Sequence, residues 1–320
     1  MTLPVEQLES LAGEGGLLTG ADVHARAAGI WDPSPLEADL LLRPRTTDEV
    51  AAILALCHAQ GQPVVPHGGL TGLVQGAQTR SGDLVLSTER MTQIEEVDVA
   101  GRTMTVQAGV TLQAAQEAAE AVGLQLALDL GARGSCTIGG NLATNAGGNR
   151  VIRYGMARDQ VLGLEAVLAD GTVLSSMNHM IKNNAALDLK QLFIGSEGIL
   201  GLITRAVLRL RERPASRCTA LVAVDDLESV VSLLKHCDAR LGGTLSAFEV
   251  MWQDFYRLVT GTGADRNPPI EDHHALYVLI ESEGGDAEED QVRFEAVLGD
   301  ALQSGLVTDA IIAASGRERE

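Results

Sequence analysis

The stretch PHGGLTG, at residues 66–72, is the one on which the prediction of the fold depends. It follows a short predicted strand, Pro63 to Pro66, and brings three glycines and a threonine into a turn. Because glycine has no Cβ atom, the backbone N–H groups of such a turn can converge on an anion, and a pyrophosphate suits this arrangement. Taken alone, the pattern fits an ordinary glycine-rich turn equally well.

Regular helices and strands are predicted on both sides of this turn. Thr46 and Glu49 form a capping box before a helix whose apolar residues recur at helical spacing, and Gly61 ends that helix. Later in the chain, an alternating strand precedes Thr111, which is expected to cap a second helix that Gly123 ends. A strand at 84–87 lies between the two units.

Two further glycine-rich stretches follow. The first, GARGSCTIGGNLATNAGG at 131–148, lets the backbone run close along a flat ring system, with Ser135, Thr144 and Asn145 able to bond the polar edge of a heterocycle. The second, IGSEGILGLI at 194–203, is a turn that enters a strand. The motifs GxGxxG and GxxxxGK[ST] do not occur, so the usual Rossmann and P-loop sites lack support.

The C-terminal part, residues 219–314, is predicted to alternate strand, helix, strand, helix, strand, helix and strand. Asp226 is expected to cap the first of these helices, with Leu227, Val230, Val231 and Leu234 as its buried stripe. The acidic run from 281 to 290 is expected to be a solvated loop and helix start without a binding role.

Composition excludes several classes of protein. With 320 residues, 45% hydrophobic and 21% charged, the chain is long enough for two cores and too apolar for disorder. The net charge of −19 argues against nucleic acid or an anionic membrane surface as a partner. A phosphate-bearing ligand must then be held by local donors.

The cysteines and the N-terminus favour a cytoplasmic protein. The four cysteines form no CxxC pair, which favours reduced thiols over disulfides. The N-terminus has no basic segment followed by an apolar run, and no stretch approaches the ~20 apolar residues that cross a membrane. We therefore expect a chain that is neither secreted nor membrane-spanning. Residues 1–39 are expected to be a lead-in, with a surface loop at 31–35.

Together, the three glycine-rich stretches make the sequence resemble the FAD-binding superfamily of p-cresol methylhydroxylase and vanillyl-alcohol oxidase. GSCTIGGNLATNAGG, the RYG at 153–155 and DLKQLFIGSEGILG are similar to its D-2-hydroxy-acid dehydrogenase branch, which acts on D-2-hydroxyglutarate, D-lactate or glycolate. The resemblance implies an α+β fold: a two-lobed FAD-binding domain at 40–214, and a substrate or cap domain at 215–320 that is incomplete.

By that resemblance, the first loop holds the pyrophosphate, the middle stretch lines the flavin and ribityl chain, and the last lies at the adenosine end. The residues implied are Pro66, His67, Gly68, Gly69, Leu70, Thr71, Gly72, Asp129, Leu130, Gly131, Ala132, Arg133, Gly134, Ser135, Gly139, Asn141, Ala143, Thr144, Asn145, Ala146, Glu197, Gly198, Ile199, Leu200, Gly201, Leu202 and Ile203. His67 lies outside the positions where relatives link flavin covalently, so noncovalent FAD is expected. Valine at Gly69 is expected to abolish or severely weaken FAD binding while leaving a folded chain, because it disfavours positive φ and fills the space of the pyrophosphate.

The resemblance implies oxidation of a small D-2-hydroxy acid to the 2-oxo acid by hydride transfer to flavin. Electrons would leave to a separate electron-transfer protein or quinone, and a homodimer is possible in this family. Two alternatives remain: a flavin-binding fragment or subunit without turnover of its own, and a flavin reductase of the cell-wall precursor type, which would use NADPH. The cap-like residues 219–314 argue against the second alternative.

The catalytic base, the cationic substrate-binding residues and the metal site of this family come late in its cap domain, beyond what corresponds to Glu320. We therefore expect a fragment whose catalytic residues are unknown and which holds no metal. His273 and His274 are adjacent in a loop, which favours solvated side chains over metal ligands.

Overall fold

The computed structural model describes residues 4–261 and 268–315. Its helices are α1 (Val5–Ala12), α2 (Ala21–His24), α3 (Thr47–Gln60), α4 (Leu112–Glu120), α5 (Ile138–Ala143), α6 (Val151–Tyr154), α7 (Lys190–Phe193), α8 (Leu227–Arg240), α9 (Gln253–Thr260) and α10 (Ala287–Gln303). Its strands are β1 (Leu17–Thr19), β2 (Ala27–Gly29), β3 (Asp32–Pro35), β4 (Leu40–Leu42), β5 (Val64–His67), β6 (Leu84–Ser87), β7 (Ile94–Asp98), β8 (Thr103–Gln107), β9 (Leu124–Gln125), β10 (Val161–Val167), β11 (Val173–Ser176), β12 (Leu202–Arg209), β13 (Arg211–Glu212), β14 (Ser216–Val224), β15 (Leu245–Trp252), β16 (Leu276–Gly284) and β17 (Asp309–Ile312).

The chain divides into two compact units. The first comprises residues 1–147 and 156–212, and the second comprises 148–155 and 213–320. The second unit thus includes a short piece from the middle of the sequence, which local patterns do not indicate. The domain limits at 39 and 214 stay predictions.

The first unit contains a small sheet in the order β1-β4-β6-β5, in which β4, β5 and β6 are parallel. Helix α3 packs on it through Val50, Ile53 and Cys57, which the sequence places at helical spacing. Thr46 caps this helix by accepting a 3.2 Å bond from the Glu49 N–H, and Gly61 ends it in the left-handed region at φ 64°. The predicted helix is confirmed, and its end leads the chain into β5.

A second sheet of the first unit is antiparallel throughout, in the order β11-β10-β12-β8-β7. Strands β8 and β10 are buried on both faces. The core on one face is formed by side chains such as Met104, Val106 and Leu164, together with α4 and α5. Because α5 lies on this sheet, the glycine-rich stretch that contains it is fixed to a rigid element.

The lead-in predicted for residues 1–39 is part of this unit's core. Leu8 and Ala12 of α1 are buried in one cluster with α3, and β1 pairs with β4. The surface loop predicted at 31–35 is also wrong in part, because β3 at Asp32–Pro35 pairs with β2. Prolines are tolerated there since the strand belongs to a two-stranded ribbon.

The second unit has the predicted order of elements, β14, α8, β15, α9, β16, α10 and β17. Its sheet order is β15-β16-β14-β17, with all pairs antiparallel, and α8 and α10 contribute to a core around Phe294. Asp226 caps α8 through a 2.7 Å bond from the Ser229 N–H. The predicted stripe is wrong in part, because Leu227 and Val231 are exposed while Leu233 and Cys237 are buried beside Val230.

The acidic run is also different from the prediction. Glu281 and Glu283 lie on β16 rather than in a solvated loop, and Glu283 is fully buried. Its carboxylate accepts bonds from Tyr154 Oη at 2.7 Å and from Arg217 Nε at 3.0 Å. Arg150 Nε lies 3.5 Å from the same carboxylate. Buried charge requires such partners, and here α6 and β14 supply them.

The predicted α+β fold is confirmed by these mixed helices and antiparallel sheets. All four cysteines are buried and free, as expected. Within residues 4–261 and 268–315, none of the helices combines the length and the apolar character needed to cross a membrane.

Candidate functional site

The first loop, residues 66–72, begins at the end of β5. It packs against the middle stretch, residues 131–148. A Cβ atom at Gly69 would lie 2.1 Å from the Ser135 carbonyl oxygen, and one at Gly68 would lie 2.9 Å from Thr137 Oγ1. Neither glycine has positive φ; the left-handed residue of the loop is Leu70, at φ 55°. The reason given for Gly69 is therefore corrected: this position needs glycine because another backbone approaches it closely.

His67 ends β5 and is 3% exposed. Its Nε2 lies 2.8 Å from the carbonyl oxygen of Ala77, which fixes the turn that follows the loop. Burial lowers the pKa of His67, while the bond to Ala77 acts in the opposite direction. The ring is thus engaged within the protein.

The middle stretch begins with a turn at 129–135 and continues through α5. Arg133 Nη1 lies 3.9 Å from Asp129 Oδ1 across that turn. Thr137 caps α5, and a Cβ atom at Gly139 would lie 2.6 Å from the Ala108 side chain. Gly139 therefore permits the close packing of α5 on the chain that leaves β8.

The three polar side chains expected at a heterocycle all have partners within the protein. Ser135 donates to the Ala132 carbonyl at 3.4 Å, and Thr144 donates to the Gly140 carbonyl at 3.0 Å. Asn145 Oδ1 accepts from the backbone N–H of Arg158 at 3.0 Å, and Asn145 itself is left-handed at φ 48°. These hydrogen bonds fix the shape of the loop. A ligand could bond only the donor and acceptor positions of these side chains that the protein itself does not use.

The last stretch is bonded to the middle one. The N–H of Glu197 donates to the Ala143 carbonyl at 2.8 Å, and that of Gly195 donates to the Leu142 carbonyl at 3.0 Å. A Cβ atom at Gly198, where φ is 81°, would lie 2.5 Å from Pro66 Cγ in the first loop. The structure thus brings the three predicted stretches together.

Backbone strain is concentrated in these stretches. Five non-glycine residues among those described have positive φ, and three of them, Leu70, Asn145 and Glu197, fall one in each stretch. Left-handed backbone costs about 1–3 kcal/mol per such residue, and it is kept where the surrounding structure fixes it, often at ligand sites. Three of these five strained residues therefore lie in the stretches that form the candidate site.

A pocket of about 330 Å³ opens beside the first and last stretches. Pro66, Gly198, Ile199, Gly201 and Leu202 of the predicted set line it. Sequence reasoning missed the rest of its wall, which includes Cys57, His58, Gly61 and Gln62 from the end of α3. Local sequence patterns do not indicate that Cys57 and His58 line a pocket, because this depends on how the chain returns from α3 into β5. Burial raises the pKa of Cys57 to about 11, so this thiol is neutral.

His273 and His274 belong to the second unit. Their rings are 4.1 Å apart, and His273 Nδ1 lies 3.1 Å from a Glu271 oxygen. Among the residues described, no group of three or more His, Cys, Asp or Glu side chains is arranged to hold a metal ion.

Comparison with known families gives two matches. Residues 38–176 match the family described as FAD binding domain, and residues 213–320 match the family described as FAD linked oxidases, C-terminal domain. Both descriptions name FAD, which confirms the predicted cofactor.

Curated relatives agree with these families. The mitochondrial D-2-hydroxyglutarate dehydrogenase of Bos taurus is 43% identical over 87% of this chain and 51% of its own length. That of Rattus norvegicus is 40% identical over 87% of this chain and 52% of its own length. The chain therefore spans about half the length of these relatives. Both relatives are named mitochondrial, which contradicts the cytoplasmic location expected from the sequence.

A solved structure of p-cresol methylhydroxylase with substrate bound has the same fold. The two agree with a TM-score of 0.77 at 16% identity, over 96% of this chain and 65% of that one.

Proposed function

We propose that the chain belongs to the p-cresol methylhydroxylase and vanillyl-alcohol oxidase superfamily, in its D-2-hydroxy-acid dehydrogenase branch, and that it serves FAD-dependent oxidation of a D-2-hydroxy acid to the 2-oxo acid. One observation carries the site assignment: three glycine-rich stretches, far apart in sequence, pack on each other around the end of β5 and each contains one strained residue.

We propose that Pro66–Gly72 holds the pyrophosphate of FAD, because this loop offers backbone N–H groups at the end of the parallel strand β5. Residues 129–135 and 143–146 would line the flavin and ribityl chain. The pocket of about 330 Å³ beside Gly198 and Ile199 would take the adenosine end, and its volume suits a ligand of moderate size.

FAD, when bound, supplies the hydride acceptor of the reaction. The protein's own part is to bind the cofactor, to orient it and to shield it. Gly69 and Gly139 allow the close backbone approach on which the shape of the site depends. We propose noncovalent binding, since the ring of His67 is buried and engaged with Ala77.

The remaining parts of the proposal concern substrate and partners. The names of the relatives in cattle and rat support D-2-hydroxyglutarate as the substrate to test first. A separate electron-transfer protein or quinone would take the electrons, and a homodimer remains part of the proposal. We also keep the division into an FAD-binding domain at 40–214 and a cap domain at 215–320.

The mode of FAD binding can be tested by denaturing the purified yellow protein in mild acid. Intact FAD should appear in the supernatant, identified by its mass. Flavin that stays with the precipitated polypeptide would contradict noncovalent binding.

The reaction can be tested by adding D- and L-2-hydroxyglutarate, D- and L-lactate and glycolate to the flavoprotein under anaerobic conditions. Bleaching of the visible flavin band by a D-2-hydroxy acid, with its L enantiomer as the matched control, is the expected result. Full flavin occupancy without bleaching by any of these acids would favour the alternative of a flavin-binding protein without turnover of its own.

A further inference from the structure

Arg158 lies next to the candidate site but was not predicted to belong to it. It is half-buried in the short 3-10 turn Ala157–Gln160. Its guanidinium donates to the Ile194 carbonyl at 2.6 Å and to the Gln191 carbonyl at 3.2 Å, and it also bonds the Gln191 side chain. Ile194 is the first residue of the last glycine-rich stretch, and Gln191 lies just before it.

The bond to Ile194 fixes a peptide group from both ends. The carbonyl oxygen of Ile194 accepts from Arg158, and the N–H of the same peptide, that of Gly195, donates to the Leu142 carbonyl at 3.0 Å. Two residues later, the N–H of Glu197 donates to the Ala143 carbonyl. Because the peptide at 194–195 cannot rotate, the strained residue Glu197, at φ 52°, is held against the middle stretch.

The backbone of Arg158 supports a second strained residue, Asn145. The N–H of Arg158 donates to Asn145 Oδ1 at 3.0 Å, and the preceding N–H, that of Ala157, donates to the Ala146 carbonyl at 2.8 Å. Left-handed Asn145 is thus secured through its side chain. One residue therefore supports two of the three strained turns, one through its side chain and one through its backbone.

We propose that Arg158 is a positioning residue for the cofactor, which sets how tightly FAD is held and how the flavin is oriented without touching it. This inference rests on the proposed function. Arginine suits the role because its planar fork can bond two carbonyl groups at once, whereas the lysine ammonium is a point donor that cannot reproduce the fork. Hydrogen bonds from a charged group are also stronger than neutral ones.

The test compares the wild-type flavoprotein with Arg158→Gln, Arg158→Lys and the matched control Arg80→Gln, at an exposed arginine of the same unit. Three quantities are measured: the rate of FAD release on dilution, from the recovery of flavin fluorescence; the visible circular dichroism of the bound flavin at saturating FAD; and the thermal midpoint of the flavin-free protein.

Arg158→Gln is expected to release FAD about 10- to 100-fold faster, in line with the loss of bonds from a charged donor. Arg158→Lys should recover part of this loss, and the visible circular dichroism should change in both variants. Arg80→Gln should match the wild type in all three measurements. A merely structural role would lower the thermal midpoint and leave the release rate and the spectrum of the bound flavin unchanged.

An unchanged release rate in Arg158→Gln overturns the inference while leaving the proposed function intact. If that variant does not fold, Arg158→Lys decides: unaltered release and spectrum overturn the inference, and faster release with an altered spectrum supports it. A wild-type protein that binds no FAD would overturn the proposed function itself, and the inference with it.

Discussion

The alanine Cβ atom that a substitution would add at Gly69 lies 2.1 Å from the Ser135 carbonyl oxygen and 2.8 Å from Cys136 Cα. Since both neighbours are backbone, they cannot move aside as a flexible side chain could. We expect Gly69→Ala to destabilise the protein by ~1–3 kcal/mol, the usual cost of overpacking, and to weaken FAD binding. Urea unfolding of the flavin-free protein and FAD titration measure the two effects.

The matched control for Gly69 is Gly72→Ala, in the same loop. No atom lies within 4 Å of the added Cβ atom there, and φ is not positive. Its free energy of unfolding should stay near that of the wild type. Equal stability of the Gly69 and Gly72 variants would contradict the close packing of the first loop on the middle stretch.

His67 should make stability depend on pH. Burial lowers its pKa below the ordinary value of 6.5, so the folded state binds a proton less readily than the unfolded chain. The associated stability is present above about pH 6.5 and is lost as the pH falls below that value. Thermal midpoints measured from about pH 7.5 to about pH 5.5 should therefore fall less in His67→Gln than in the wild type.

Glutamine is chosen at this position because it can still donate to the Ala77 carbonyl. Identical curves for wild type and His67→Gln would show that protonation of His67 costs the fold nothing.

At this scale, the sequence predicts which residues form the candidate site but not what each of them contacts. Glycines and small polar residues in the three stretches were predicted from the backbone approach that a ligand needs. The structure shows that Gly69 and Gly139 admit other parts of the chain, and that Ser135 and Thr144 bond nearby carbonyls. These contacts depend on the folding of distant segments, which residue types alone do not specify.

At the scale of helices and strands, the buried carboxylate of Glu283 on β16 is stabilised by a hydrogen bond from Tyr154 of α6. Burial and the bond to Glu283 raise the pKa of Tyr154 to about 12, so its hydroxyl remains a donor at neutral pH. Tyr154→Phe should leave the carboxylate with one donor fewer and cost ~1.5–3 kcal/mol, the range for bonds to charged groups. Urea unfolding provides the measurement.

Tyr256→Phe is the matched control, because the Tyr256 hydroxyl bonds only neutral groups: it donates to the Ile270 carbonyl at 2.8 Å and accepts from the Ile270 N–H at 3.2 Å. Its loss should be smaller, at ~0.5–1.5 kcal/mol. A Tyr154 variant that loses no more than the Tyr256 variant would mean that the two arginines satisfy Glu283 by themselves.

Elements with strong local signals were predicted well, and those set by distant partners were not. Capping by Thr46 and Asp226 and the order of elements from β14 to β17 follow from local chemistry. The buried stripe of α8 was misplaced because the tertiary packing of Leu233 and Cys237, rather than local periodicity, selects the buried face. Glu283 was read as solvated since its partners come from α6 and β14.

For the whole molecule, the family resemblance predicted the α+β fold, whereas the inclusion of residues 148–155 in the second unit could not be predicted. That inclusion depends on long-range contacts such as the 2.7 Å bond between Tyr154 and Glu283. The cytoplasmic location predicted from composition is contradicted by the names of the relatives, which are called mitochondrial. Charge and cysteine content do not distinguish proteins of the cytoplasm from those of mitochondria.

The net charge of −19 leads to a prediction about the rate at which FAD binds. FAD carries a negatively charged pyrophosphate, so the field of the whole protein should slow its approach, even though backbone N–H groups hold it once bound. Salt screens this repulsion, with a Debye length that falls from about 30 Å at 0.01 M to about 8 Å at 0.15 M. We therefore expect the association rate, followed by flavin fluorescence in stopped flow, to rise roughly two- to tenfold over this range of ionic strength. Riboflavin, which has no phosphate, is the control and should show little dependence on salt. An FAD association rate that falls as salt is added would indicate a positive local potential at the site. The assignment of the pyrophosphate to backbone donors of the first loop would then be replaced by one that involves arginine side chains.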